Sequence, residues 1–212
     1  DTSEFASLAD QLKKPYVNED GIIEQFDGYF ELEDCSVDTV RLRLLDPKEY
    51  WGGAYGVASH TKVIKQADVV AMLCVMPGEF TKEDMLKNLR YYEPRTEHGS
   101  SLSACMYSLL SCKIGDADYA YPLFMKSAKV DLLRGGKEWA GCIYIGGTHP
   151  ASEGGAWKVA IEGFAGMRID NGKVVCNPCL PQKWNAMRFK INYNGTLYAV
   201  EVTKTDWSIK AL

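Results

Sequence analysis

The sequence predicts a mainly α-helical chain that ends in a small antiparallel β unit. Apolar residues recur at helical spacing in several segments up to about residue 166. Beyond that point, Asn171-Gly172 and Asn194-Gly195 each lie between short alternating runs, the pattern of a β-hairpin with a two-residue turn. The 212 residues, 46% of them hydrophobic, suffice for one or two globular domains. We therefore expect a helical segment over 1–166 and a β-sheet domain over 167–212.

Six segments have helical spacing, and most of them have a recognisable start or stop. Pro15 ends the first helix, a capping box formed by Thr81 and Asp84 opens the third, and Gly115 closes the fourth. Asp116 opens the fifth helix. The expected helices are Glu4 to Lys14, Thr61 to Met76, Thr81 to Leu89, Leu102 to Lys113, Asp116 to Leu133 and Gly155 to Gly163.

Three stretches lack such periodicity. Residues 21–32 are predicted to be irregular or short-stranded, and residues 134–155 are glycine-rich and irregular. Residues 34–60 are rich in aromatic side chains and contain a turn at Trp51-Gly52-Gly53. Such a stretch is typical of the wall of a binding cleft, and a plain surface loop is the alternative.

Charge and hydrophobic length limit the partners and the compartment. The net charge is −4, so we expect no nucleic-acid and no membrane partner. The longest apolar run, Val69 to Met76, is too short to cross a bilayer. Residues 1–4 lack the basic start of a signal peptide, which predicts a cytoplasmic protein with reduced cysteines. The first residue is not methionine, which indicates a processed start or a piece of a longer protein.

The cysteines give no firm site. Cys176 and Cys179 have the spacing of half a zinc site, but no second pair and no nearby histidine completes it. We therefore expect no metal, because a turn around Pro178 explains the spacing. Cys105 and His98 could form a nucleophilic pair, although the helical pattern around Cys105 favours a core position.

Two loops with glycine, serine and histidine come immediately before predicted helices. Residues 95–103 contain His98, Ser100 and Ser101, and residues 146–157 contain His149. Unpaired N–H groups at a helix N-terminus suit an anion, and hydroxyls add further donors. The alternatives are an ordinary serine N-cap in the first loop and a flexible loop with a capping serine in the second.

Other polar and aromatic residues could bind a sugar. Lys65 and Gln66, side by side in an otherwise apolar predicted helix, could hold sugar hydroxyls, and a solvated helix face is the alternative. Five aromatic residues could stack on sugar rings or belong to the core: Trp51, Tyr55, Tyr91, Tyr92 and Trp157. The sequence has no nucleotide-binding P-loop, dinucleotide fingerprint, zinc-protease helix or nucleophile elbow.

Four runs of residues can be compared with known families. They are Val63 to Val70, Tyr91 to Ser103, Gly155-Ala156-Trp157 with Gly163 to Arg168, and Asn177-Pro178 with Leu180-Pro181 and Trp184. In this order they resemble the C-terminal part of glycoside hydrolase family 65, and the likeness covers most of residues 15–204. The version of the second run found here is most similar to the kojibiose and nigerose phosphorylase branch.

This resemblance implies a fold and a reaction. The fold would be the C-terminal part of an (α/α)6 barrel over 1–166, followed by a small antiparallel β-sheet domain. Most members of the family are inverting α-glucoside phosphorylases, in which phosphate replaces the base-activated water of an inverting hydrolase. The substrate would be an α-linked glucose disaccharide, and the product would be β-glucose 1-phosphate. Inorganic phosphate would be the co-substrate, and no cofactor would be needed.

The resemblance also implies roles for individual residues. Lys65 and Gln66 would hold the donor glucose, and Glu97 would contact the acceptor sugar. The phosphate ligands would be Ser100, Ser101 and His149. The general acid would be a glutamate upstream of this chain, because its motif has no counterpart in these 212 residues.

The N-terminal β-sandwich domain and the first barrel half of the family also have no counterpart here. We therefore expect the chain to associate with the missing N-terminal half of the enzyme, or with itself as a homodimer, because half a barrel exposes apolar surface. Alone, it should lack phosphorolytic activity. Two other functions stay open: a hydrolase of the same family, and a non-catalytic sugar-binding or interaction module.

Overall fold

A computed structural model describes residues 2–47, 49–76, 78–133 and 148–212 of the protein. Within these ranges the α-helices are α1 (Ser3–Gln11), α2 (Val37–Arg41), α3 (Asp68–Val75), α4 (Lys82–Tyr92), α5 (Ser103–Ile114), α6 (Ala117–Ala128) and α7 (Pro150–Lys158). Single 3₁₀ turns lie at Tyr29–Glu31 and Glu93–Arg95, and a π-helix, Val159–Phe164, continues α7. The strands are β1 (Arg168–Asp170), β2 (Lys173–Val175), β3 (Ala186–Tyr193), β4 (Thr196–Thr203) and β5 (Trp207–Ala211).

Helices α3 to α7 surround the main hydrophobic core. Its fully buried members include Tyr92, Tyr107, Leu109 and Phe164. Helix α1 contributes nothing to this core, because none of its residues is buried. Its apolar side chains Phe5, Leu8 and Leu12 are 57–74% exposed.

Both predicted hairpins are present. β1 pairs with β2, and β3, β4 and β5 form a second antiparallel sheet in that order. Asn171 and Asn194 have φ angles of 48° and 49°, and the glycines that follow them also have positive φ angles. Two consecutive left-handed residues are what a type I′ turn requires. The fold class predicted from the sequence is confirmed, whereas the division at residue 166 stays a prediction.

Three predicted helix boundaries with a local chemical cause are also confirmed. The hydroxyl of Thr81 accepts the backbone N–H of Asp84 at 3.2 Å, and the Asp84 carboxylate accepts the N–H of Thr81 at 2.9 Å. Gly115 ends α5 with a φ of 100°, which a residue with a side chain rarely adopts. The Asp116 carboxylate accepts the N–H of Tyr119 at 3.0 Å and caps α6.

The predicted helix from Thr61 to Met76 is wrong in its first half. Helix α3 begins only at Asp68; residues 61–67 are irregular, and Ile64 pairs in parallel with Thr96. The Ile64 N–H donates to the Arg95 carbonyl at 2.8 Å, and the Glu97 N–H donates to the Ile64 carbonyl at 2.9 Å. These bonds to a distant segment give the backbone partners that a local helix would otherwise supply.

Four other predicted boundaries differ. Helix α1 ends at Gln11 and not at Lys14, so Pro15 does not mark its end, and helix α4 continues beyond Leu89 to Tyr92. Helix α6 ends at Ala128, not at Leu133, and the chain continues in turns up to residue 133. Helix α7 begins at Pro150, five residues earlier than predicted, because proline suits the first helical position and the glycines hide the apolar pattern. Of the irregular stretch predicted over 134–155, residues 134–147 lie outside the described residues. Every helix in the described ranges is too short or too polar to traverse a bilayer.

Candidate functional site

Two glycines let α7 and its π-helical continuation pack closely against α5. A Cβ added at Gly155 would lie 2.5 Å from the Sγ of Cys105, and one added at Gly163 would lie 3.1 Å from the Sγ of Cys112. From the first contact to the second, both elements advance about two helical turns in the same chain direction. The two helices therefore run parallel, and their N-termini lie at the same end of the pair. Both positive dipole ends thus meet at one place, which favours a bound anion.

The N-terminus of α5 carries the serine-rich turn. Leu102 occupies the N-cap position and makes no side-chain cap among the described residues. The Ser100 hydroxyl accepts the Leu102 N–H at 3.3 Å, and the Ser100 carbonyl accepts the Ser103 N–H at 3.1 Å. Ser100 and Ser101 are both half-buried. The turn therefore places Ser100 and Ser101 immediately before the N-terminus of the helix, and the serine N-cap considered from the sequence is not what forms.

His98 lies inside this turn, not at its surface. Its Nδ1 is 2.8 Å from the Ser103 hydroxyl, and its ring meets the Tyr107 ring edge-on at 5.0 Å. Burial, together with the positive charge of Lys126, lowers the pKa of His98 to about 4, so the ring is neutral at physiological pH. The φ of His98 is 56°, a conformation that only strong local contacts maintain. His98 thus shapes the turn that presents the serines.

The N-terminus of α7 carries His149. Its Nδ1 lies 3.0 Å from one carboxylate oxygen of Asp131, and its backbone N–H donates to the other. Both side chains are 13% exposed. Ser152, one turn along α7, is buried and its hydroxyl donates to the Ser127 carbonyl at 3.5 Å. Two contacts therefore fix the start of α7 to the end of α6.

The sugar-binding candidates lie beside the same turn. The parallel pairing of Ile64 with Thr96 brings Lys65 and Glu97 into one cleft of about 300 Å³, whose wall includes Tyr50 and Trp51. The Lys65 ammonium is 5.9 Å from the centre of the Tyr50 ring. Gln66 lines a neighbouring cleft that also contains Lys65, and its amide donates to Asp68 at 3.1 Å. Lys65 and Gln66 were predicted to lie in a helix. In the structure they lie instead in the irregular segment that precedes α3.

Glu97 is the carboxyl group most altered by this environment. Burial raises its pKa to about 7, against the opposing charges of Lys65, Arg41 and Lys126. At neutral pH, Glu97 is thus present in both protonation states. A carboxyl in this condition can donate to one sugar hydroxyl or accept from another.

One backbone hydrogen bond joins the sugar cleft to the serine turn. The Gly99 N–H donates to the Lys65 carbonyl at 3.1 Å. This bond joins the segment that carries Lys65 to the segment that carries Glu97, His98 and Ser100. Gly146 and Gly147, which begin the second of the two loops singled out in the sequence, lie outside the described residues.

The alternative sites considered from the sequence receive no support. Cys105 is buried, its thiol donates to the Leu102 carbonyl at 3.1 Å, and burial raises its pKa, so it is a poor nucleophile. The neighbouring Cys179 and burial together hold the pKa of the Cys112 thiol above its ordinary value. Within the described ranges, no three His, Cys, Asp or Glu residues are grouped as a metal site would require.

The five aromatic candidates differ in their exposure. Tyr91 is half-buried and packs against the main core. Trp51 is 3% exposed and Tyr92 is fully buried, so both belong to the core. Tyr55 and Trp157 are 98% and 59% exposed.

Asp131 is the residue that sequence reasoning missed. Nothing in the spacing of its neighbours distinguishes it, because its partner His149 is distant in the sequence.

Comparison with known proteins matches this chain along its whole length. Residues 1–158 match the central catalytic domain of glycosyl hydrolase family 65, and residues 167–212 match the C-terminal domain of that family. Nigerose phosphorylase of Lachnoclostridium phytofermentans is 55% identical over 99% of this chain and 29% of its own length. Kojibiose phosphorylase of Caldanaerobacter subterraneus is 41% identical over 93% of this chain and 25% of its own length.

A solved structure described as a kojibiose phosphorylase from the human microbiome has a similar fold. It superposes with a TM-score of 0.78 and 28% identity, over 99% of this chain and 27% of the other. The chain thus spans between a quarter and three tenths of the length of these relatives. On the family matches and the identities together, the chain belongs to glycosyl hydrolase family 65.

Proposed function

We propose that this chain supplies the phosphate- and glucose-binding part of an inverting α-glucoside phosphorylase, which converts a disaccharide and phosphate into β-glucose 1-phosphate. The observation that carries this proposal is the parallel packing of α5 on α7, which brings two helix N-termini together. Ser100, Ser101 and His149 belong to those two ends. Relatives named nigerose, kojibiose and 1,2-alpha-glucosylglycerol phosphorylase support the reaction class.

The proposed chemistry makes one bond and breaks one. A phosphate oxygen attacks the anomeric carbon from the face opposite the leaving sugar, and the glycosidic carbon–oxygen bond breaks. A carboxylic acid, expected upstream of residue 1, protonates the leaving oxygen. The serine hydroxyls, the positive N-terminal ends of α5 and α7, and the His149 ring would hold the phosphate oxygens. No cofactor takes part.

The cleft beside the serine turn would take the sugars. Lys65 and Gln66 would hold the hydroxyls of the donor glucose, and Glu97 would contact the acceptor. The direct link between Gly99 and Lys65 would set the distance between the sugar and the phosphate. An inverting displacement requires such a fixed separation, because the attacking oxygen must approach in line.

The remaining surface is proposed to be covered by other protein. The apolar face of α1 is exposed, as expected for a helix that packs on the missing N-terminal half or on a second copy in a homodimer. The isolated chain should therefore bind ligands without catalysing phosphorolysis.

Product analysis tests the proposal in the complete enzyme that contains these residues. With phosphate present, we expect β-glucose 1-phosphate. Ser101→Ala and His149→Ala should each weaken phosphate binding by about 1.5–3 kcal/mol, the value of a hydrogen bond to a charged group. That loss corresponds to roughly a 10- to 150-fold rise in the KM for phosphate.

Ser208→Ala, at an exposed serine of β5, is the matched control and should leave this KM unchanged. Unchanged phosphate dependence in both site variants would contradict the assignment. Free glucose as the product, with or without phosphate, would indicate the hydrolase. Sugar binding without turnover by the complete protein would indicate the binding module.

A further inference from the structure

Asp131 holds His149 at two points. One carboxylate oxygen lies 3.0 Å from the His149 Nδ1, and the other accepts the His149 backbone N–H. Asp131 follows the end of α6, and His149 is the N-cap residue of α7. A single carboxylate therefore fixes both the ring and the backbone of His149.

The chemistry of a carboxylate determines which ring nitrogen carries the hydrogen. An ionised carboxylate only accepts hydrogen bonds, so the His149 Nδ1 must donate to Asp131. The opposite ring atom, Nε2, then points away from the carboxylate. Carboxylates that orient histidines in this way fix the tautomer and the direction of the ring.

We infer that Asp131 is the positioning residue of the phosphate site, a role that rests on the function proposed above. By holding His149, it directs Nε2 toward the common end of α5 and α7, where the serine hydroxyls lie. Asp131 acts through His149 and needs no contact of its own with phosphate. The hydrogen bond from the His149 backbone N–H to Asp131 keeps the N-cap of α7 in place. The ring of His149 and the end of the helix are therefore positioned together.

Two measurements test this role. The first is the long-range ¹H–¹⁵N spectrum of the 212-residue chain with labelled histidine, which reports the protonated nitrogen of each of its three histidines. His149→Gln identifies the signal. We expect a hydrogen on Nδ1 of His149 and a change of that signal in Asp131→Asn. A wild-type signal with no hydrogen on Nδ1 would overturn the inference without any variant.

The second measurement is steady-state kinetics of the complete enzyme. Asp131→Asn should raise the KM for phosphate by about tenfold or more and leave the KM for the disaccharide within about twofold. Asp131→Glu should recover part of the loss, because it keeps the carboxylate.

Glu153→Gln is the matched control, because it removes an exposed carboxylate from the first turn of α7 without touching the His149 ring. Because Glu153 does not orient His149, this variant should leave both KM values within about twofold of the wild type. A KM for phosphate that Asp131→Asn does not change would overturn the inference. If the wild-type enzyme forms no glucose 1-phosphate, the proposed function fails, and the His149 spectrum still decides whether Asp131 sets the tautomer.

Discussion

Replacing Gly155 by alanine should push α7 away from α5. The new Cβ would lie 2.5 Å from the Sγ and 2.9 Å from the Cβ of Cys105. Optimal contacts between such atoms are about 3.5–4.0 Å, so the helices must separate by up to about 1 Å. A rotation of the cysteine side chain moves its sulfur but not its Cβ, and the backbone must therefore give way.

The expected cost follows from two opposing terms. Alanine is favoured over glycine inside a helix by about 1 kcal/mol, and overpacking a buried contact costs about 1–3 kcal/mol. The adjacent Gly154 supplies the control, because a Cβ there would meet nothing within 4 Å. Gly154→Ala should thus stabilise the protein. We expect Gly155→Ala to be less stable than Gly154→Ala by about 1–3 kcal/mol, near the upper end because the overlap includes a Cβ.

Urea unfolding of the two variants measures this difference directly. Adding Cys105→Ala to Gly155→Ala should recover part of the lost stability, because it removes the nearer of the two overlapping atoms. Since the two helix ends would move apart, Gly155→Ala should also raise the KM for phosphate in the complete enzyme. Equal free energies of unfolding for Gly154→Ala and Gly155→Ala would refute the close parallel packing, and with it the geometric basis of the anion site.

Two further predictions concern pH dependence and helix capping. The folded pKa of Glu97, about 7, lies above the ordinary value of 4.5, so the stabilising contribution of its carboxyl is complete below about pH 4.5 and is lost as the pH rises through 7. Glu97→Gln should flatten the decrease in the urea midpoint between about pH 4.5 and 7, and an unchanged slope would contradict the half-buried position of Glu97. Thr81→Ala should cost about 1 kcal/mol of unfolding free energy, whereas Thr81→Ser should retain it; equal losses would show that the Thr81 methyl group matters more than its hydroxyl.

The sequence predicted those features whose cause is local. The turns at Asn171 and Asn194, the capping box at Thr81 and the helix end at Gly115 all follow from the conformational preferences of a few adjacent residues. Each can be recognised without knowing what packs nearby.

The features that were missed depend on distant partners. Residues 61–67 are not helical because backbone groups of Lys62, Ile64 and Lys65 bond to distant segments, at Glu33 and at residues 95–99. Asp131 matters because it meets His149, and neither residue carries a signal of the other in the sequence. The family resemblance implied roles for Lys65 and Glu97. Because the two residues are distant in the sequence, only the structure shows that they line the same cleft. Their roles in sugar binding stay predictions.

The N-terminal chemistry of the helices explains why the anion site would lie between α5 and α7. Every helix has a positive N-terminal end, so a dipole alone selects none of them. At α4 and α6, the carboxylates of Asp84 and Asp116 already occupy that end. At α5 and α7, the N-cap side chains make no capping hydrogen bond among the described residues, and the close contact at Gly155 places the two ends together. An anion would therefore replace at α5 and α7 the charge that aspartate supplies at α4 and α6. Leu102→Asp should thus raise the KM for phosphate in the complete enzyme, because a carboxylate at the N-cap of α5 would take the place of phosphate at that helix end.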